Sequence, residues 1–198
     1  MPKFTDKEKE QIRKLLLLKG KDLFSQLGLA KTSIDDIVQA TGIAKGSFYK
    51  FYDSKEALYF DILRNEEAVR GAALKELSRD DLPPKELLSS FFKKSFQLVD
   101  ENPFLQRVFQ GEDLERLMRK LPNEMDEFSK AHMKKGKDTI DTLIKRGIIS
   151  KENPEIIVGI IQATLMMRLH KEEFEDEVFP LIMNKMFEYI AEGLTKDN

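Results

Sequence analysis

The chain has 198 residues, 41% of them hydrophobic and 34% charged, with a formal net charge of −2 and no cysteine. Such a composition describes a globular protein of one or two small domains with enough apolar residues to bury a core. The missing cysteine excludes a disulfide framework, a thiolate nucleophile and cysteine-ligated zinc or iron–sulfur sites. No apolar run reaches the eighteen or so residues of a membrane span, because "LLLL" at Leu15–Leu18 is fenced by Lys14 and Lys19, so the expectation is a cytoplasmic protein with no membrane partner.

Strand-type alternation is absent and apolar residues recur at spacings of three and four, which predicts an all-α protein of about nine helices. The first helix carries Ile12, Leu15, Leu16 and Leu23 and should stop in "LGLAKT", Leu27 to Thr32. Residues 1–60 hold 11 Lys and Arg against 8 Asp and Glu, whereas residues 61–198 hold 22 against 27. A basic end on an acidic body suits contact with a polyanion, and equally an ordinary solvated surface.

Thr32 followed by Asp35 reads as the [ST]-x-x-[DE] start of a second helix of about ten residues. Ile34, Ile37 and Val38 form its inward stripe, and Gly42 permits the left-handed turn that ends it. A short third segment, Lys45 to Phe51, follows. Asp53 and Ser54 then cap a long fourth helix running towards Arg79. Helix, tight glycine turn, helix is the geometry that lays a second helix in a major groove, and it also occurs in helical hairpins that never meet DNA.

The stretch "TSIDDIVQATGIAKGSFYKFYDSKEALYFDIL", Thr32 to Leu63, resembles the DNA-binding signature of TetR-type one-component transcriptional regulators. Lys45-Gly46, Tyr49, Tyr52, Ser54-Lys55-Glu56 and Leu58 all fall in place, over about the first 65 residues. Two positions depart from the pattern: Ala44 stands where the family usually has Ser or Thr opening the recognition helix, and Phe51-Tyr52 replaces the usual Tyr/His-Phe pair. The resemblance implies a helix-turn-helix domain over 1–53 and an effector-binding and dimerisation domain over 54–198. It further implies phosphate contacts from Thr32, Lys45, Tyr49 and Lys55, and approach to base edges at Gly46, Ser47 and Lys50. Phe48 and Tyr52 are expected to pack against helices one and four.

In the middle of the chain, Phe91, Phe92, Phe96, Phe104, Phe109, Met118, Met125, Phe128, Met133 and Met166 suit either a plain core or an adaptable apolar pocket. The candidate pocket set is Phe92, Phe96, Met118, Phe128, His132 and Met166. His132 is the neutral polar handle on the stripe Met125, Phe128, Gly136, Ile140 of the seventh helix. His132 and His170 sit on different helices without ligand spacing, so no metal site and no cofactor are expected.

Helices eight and nine, from Asn153 and from Glu175, are apolar around much of their circumference, as in helices buried on two sides. They resemble the family's four-helix dimer interface, with Ile156, Gly159, Ile160, Ala163, Met167, Ile182 and Met186 as candidate contacts. No nucleophile elbow, P-loop, HExxH or GxGxxG occurs, and the "DD" and "EE" pairs place their acids on different sides of a helix. The expectation is a homodimeric regulator, not an enzyme. It would repress a palindromic double-stranded DNA operator and leave it on binding a hydrophobic small molecule; the alternative is a DNA-binding regulator without a small ligand, either an activator or one controlled by a protein partner.

Overall fold

The structure is a computed structural model that describes residues 4–150 and 152–195, the side chains of residues 67, 68, 70 and 169 aside. The described residues form eleven α-helices and one 3-10 segment, two helices more than the sequence pattern predicts. One extra break falls at Glu66 and divides the expected fourth helix into α4 (Lys55–Asn65) and α5 (Glu67–Glu76). The other falls between α7 (Pro103–Val108) and α8 (Glu112–Lys120), where Gly111 turns the chain with a φ of 88°.

Two compact units emerge, one from residues 1–68 and 102–122, the other from 69–101 and 123–198. The division of roles expected at residue 53 is therefore not the division of packing, since α4, α7 and α8 are built into the first unit.

In the first unit, α1 (Asp6–Lys31) opens on a capping box in which Thr5 and Glu8 satisfy each other's backbone N–H groups. Near its end, Gly28 leaves the helical region at a φ of 78°, as the glycine of "LGLAKT" suggests. The box that starts α2 (Ile34–Thr41) is Ser33 with Asp36, one residue later than the expected Thr32 and Asp35. Gly42 then closes α2 in the left-handed region at a φ of 70°. The third helix, α3, covers only Lys45–Phe48, and single turns carry the chain on to Tyr52.

Phe24, Tyr59 and Phe104 make the aromatic heart of this unit, with centroids 5.0 and 4.8 Å apart along the series. Polar clamps from the second segment surround it. Asp113 of α8 is buried and accepts from the Leu29 N–H (3.0 Å) and from the Tyr59 hydroxyl (3.1 Å). Glu56, also buried, meets Arg116 at 2.9 Å. Glu66 takes Lys21 and the Asn102 amide, each at 2.6 Å.

The second unit holds α5, α6 (Pro84–Asp100), α9 (Pro122–Lys145), α10 (Pro154–Met166), the 3-10 segment Met167–Glu173 and α11 (Val178–Thr195). On α6, Leu87, Leu88, Phe91, Phe92, Phe96 and Val99 repeat at helical spacing and are all buried. Phe187 of α11 stacks on Phe92 at 5.3 Å and meets Phe96 edge-on at 5.1 Å. Ile140, Leu143, Ile157, Met183 and Ala191 complete this core. Arg168 pairs with Asp100 at the end of α6. No described helix is long and apolar enough to cross a membrane.

Candidate functional site

With Ala44 at the cap, α3 starts without a side-chain acceptor, and the Ala44 carbonyl takes the Ser47 N–H at 2.7 Å. Phe48 is fully buried and Tyr52 nearly so, as expected, and they anchor the short helix on its own unit. The Tyr52 hydroxyl donates to Asp61 (2.7 Å), which also receives Arg13 (2.8 Å). Burial pushes the Tyr52 hydroxyl pKa up, and its hydrogen bond to Asp61 pushes it further the same way, so the ring is fixed as a neutral donor.

Anchoring that side leaves the other side open. Lys45, Gly46, Tyr49 and Lys50 are exposed and Ser47 is half-exposed. A Cβ at Gly46 would meet nothing within 4 Å, so the protein's own packing does not require glycine there and the surface is free for close approach. Tyr49 stands edge-on to Phe48 with centroids 5.6 Å apart, its ring about half exposed. The Lys45 ammonium rests on Asp35 of α2 at 2.8 Å, and that hydrogen bond raises its pKa.

Thr32 and Lys55 have different places from those the resemblance implies. Thr32 is fully buried and its hydroxyl donates to the Gly28 carbonyl at 2.8 Å, so it has no surface to offer a phosphate. The Lys55 ammonium donates to the carbonyls of Leu29 (2.6 Å), Ala30 (3.1 Å) and Thr32 (2.5 Å). It closes the end of α1, where carbonyls lack intrahelical partners. Burial, then the nearby Arg116 charge, lowers its pKa. Ser54, Lys55 and Glu56 thus form a scaffold: Ser54 caps α4 through the Ala57 N–H, Lys55 ties down α1 and Glu56 grips α8.

Asp113, Arg116, Asp61 and Glu66 carry no signal of these roles in the sequence. Glu66 lies 45 residues from Lys21 and Asp113 lies 84 from Leu29, and no local spacing announces such a pair.

In the second unit, Phe92 and Phe96 lie in the core described above. Phe128 and His132 are half-buried on α9, with ring centroids 4.1 Å apart and His132 Nδ1 2.9 Å from the Phe128 carbonyl oxygen. Met166 is 56% exposed, and Met118, 53% exposed, belongs to α8 in the first unit. On α10, Ile156, Gly159, Ile160 and Ala163 are exposed along one line; Met167, Ile182 and Met186 are half-buried. Leu181 (67% exposed) and Tyr189 (63%) add apolar surface on α11. Among the described residues, no group of three or more His, Cys, Asp or Glu could hold a metal ion.

Residues 16–62, which contain α2, α3 and most of α4, match the family model described as bacterial regulatory proteins, tetR family. That segment is similar to the DNA-binding region of the TetR family. It is 26% identical over 169 residues to the HTH-type transcriptional regulator RutR of Escherichia coli, covering 84% of this chain and 76% of RutR. It is 30% identical over 90 residues to the HTH-type transcriptional repressor KstR2 of Rhodococcus jostii, 46% and 44% of the two chains. The fold is that of a TetR-family regulator from Mesorhizobium loti (TM-score 0.72, 12% identity, 93% and 95% covered). It is also that of the fatty acid degradation regulator FadR from Bacillus halodurans (TM-score 0.69, 13% identity, 98% and 97% covered). The matched segment and these relatives mark the chain as a DNA-binding transcriptional regulator, and the relatives named here are regulators rather than enzymes.

Proposed function

We propose that this chain acts in the cytoplasm as a homodimeric repressor whose two α3 helices enter successive major grooves of a palindromic operator. An apolar or amphipathic small molecule, taken up by the second unit, releases it. The observation that carries the DNA reading is the surface of α3 and the turn after it: Lys45, Gly46, Tyr49 and Lys50 are exposed while Phe48 and Tyr52 are locked inside. Lys45 and Tyr49 are assigned to phosphates, and Gly46, Ser47 and Lys50 to base edges. The repressive sense is supported by the name of the KstR2 relative.

Dimerisation is supported by Ile156, Gly159, Ile160 and Ala163, which recur at i, i+3, i+4 and i+7 on an exposed face of α10. Contiguous apolar surface of this kind on a soluble chain marks an interaction site. The half-buried stripe of Met125, Phe128 and His132 on α9 supports an effector with an apolar body and one polar group. The ligand-free alternative draws support from Phe92 and Phe96, which fill the core instead of lining a space. It is also consistent with the depression along α5 and α6, about 370 Å³, whose lining residues, Leu82 apart, all carry a polar or charged end, among them Glu76, Ser90, Lys93 and Gln97.

Selection of genomic fragments on the purified protein, with and without a panel of apolar compounds, tests the whole reading. The expected result is an inverted repeat recovered by a sedimenting dimer and lost with one class of compound. A stable monomer at micromolar concentration removes the dimer. Phe128→Asp should abolish the compound's effect and spare operator binding; retention of the effect removes Phe128 from the pocket.

A further inference from the structure

Phe4 stands just before the Thr5 cap of α1. A hydrophobic residue in that place ordinarily packs on the fourth residue of its own helix, but that residue here is Lys9. Phe4 turns instead to the reading segment, with its ring centroid 6.4 Å from that of Phe51. The Lys50 ammonium lies over the Phe4 ring, 5.3 Å from its centroid.

The two lysines at the ends of the reading surface are therefore held by different chemistry. Asp35 hydrogen-bonds the Lys45 ammonium and offsets its charge. A ring face attracts an ammonium through its quadrupole without neutralising it or occupying its N–H groups in conventional hydrogen bonds. Lysine brings a flexible four-carbon stem and three rotatable donors to a contact, and ordering it on binding costs affinity. Docking on Phe4 narrows that freedom beforehand and leaves the donors available for the O6 and N7 acceptors of a guanine edge.

We propose that Phe4 is a positioning residue for sequence discrimination: from outside the helix-turn-helix it holds Lys50 in the pose that reads a base edge. This rests on the assignment of Lys50 to base edges. The test is a double-mutant cycle with Phe4→Leu, Lys50→Ala and the combined variant. Each is titrated against a duplex recovered by genomic selection on the unaltered protein and against a scrambled duplex of equal length.

Phe4→Leu should lower affinity for the selected duplex about two- to fivefold, the range of an exposed cation–π contact. It should leave the scrambled duplex and the melting temperature unchanged and add nothing once Lys50 is alanine. Phe4→Tyr, which keeps the ring face, should restore discrimination. Equal loss on both duplexes, full additivity with Lys50→Ala, or a silent Phe4→Leu beside an effective Lys50→Ala overturns the role of Phe4 alone. If Lys50→Ala weakens both duplexes by the same factor, the base-reading assignment falls first and the inference with it.

Discussion

Both units have aromatic cores, but the first is also fastened by buried carboxylates reaching across long stretches of chain, while the second relies on interleaved phenylalanines. Asp113 and Glu56 lie inside the first unit, each satisfied by partners on other helices. Phe92, Phe96 and Phe187 pack ring against ring in the second. Hydrogen bonds are directional and apolar contacts are not. Under the proposed function, fixed geometry suits the unit that presents α3, and contacts that can repack suit the one that takes up a ligand.

Truncation tests this contrast most strongly. Phe92→Ala should cost the second unit about 3–5 kcal/mol and lower its melting temperature by roughly 13–22 °C, read by calorimetry. Asp113→Ala should cost the first unit about 1–3 kcal/mol for each of the two donors it strands, Leu29 N–H and the Tyr59 hydroxyl. If a hydrophobic isostere, Asp113→Leu, proved as stable as the native residue, the carboxylate would not be what fastens this unit.

Effects on DNA binding are smaller and divide the lysines. Lys45→Ala should weaken all duplexes about equally and reduce the slope of log affinity against log salt by about 0.9 for each phosphate left without its cation. Lys55→Ala should instead lower the melting temperature, because its ammonium closes α1. Asp35→Asn should raise affinity for any duplex a few-fold by freeing Lys45; an unchanged salt titration would remove Lys45 from the phosphate-binding residues.

The least effect concerns acid. Burial raises the pKa of Asp61, but hydrogen bonds from Arg13 and Tyr52 outweigh it and leave the group below its ordinary value. A depressed folded pKa means stability present above the unfolded value, near 4, and lost as pH falls through the folded one. The melting-temperature gap between native protein and Arg13→Ala should therefore close below about pH 4. A gap constant down to pH 2 would show that Arg13 acts through packing.

What could be read in the sequence was local. Gly42 and Ser54 announce turn and cap chemistry within four residues, and Phe48 and Tyr52 announce burial through helical spacing. Thr32 and Ser33 both fit the capping pattern, and only the Thr32 bond back to Gly28 decides that Ser33 is the cap. The break at Glu66 has no local marker, because Arg64, Asn65, Glu66 and Glu67 include neither Pro nor Gly. Lys21 and Asn102, far away in sequence, hold the side chain of the residue at that break. For the same reason Lys55 reads like a surface lysine, its three carbonyl partners lying 23 to 26 residues upstream.

The discontinuity of the first unit also has a consequence for synthesis. A nascent chain that has released only residues up to 68 carries all of α1 to α4 but not Asp113 or Arg116. Until α8 emerges, the Leu29 amide, the Tyr59 hydroxyl and the Glu56 carboxylate have no α8 partner to receive them. At translation rates of about 5–20 residues per second, that interval lasts roughly 2–10 s. The part of the molecule made first is thus completed late, so a chain stalled before α8 would not present a finished reading head to DNA.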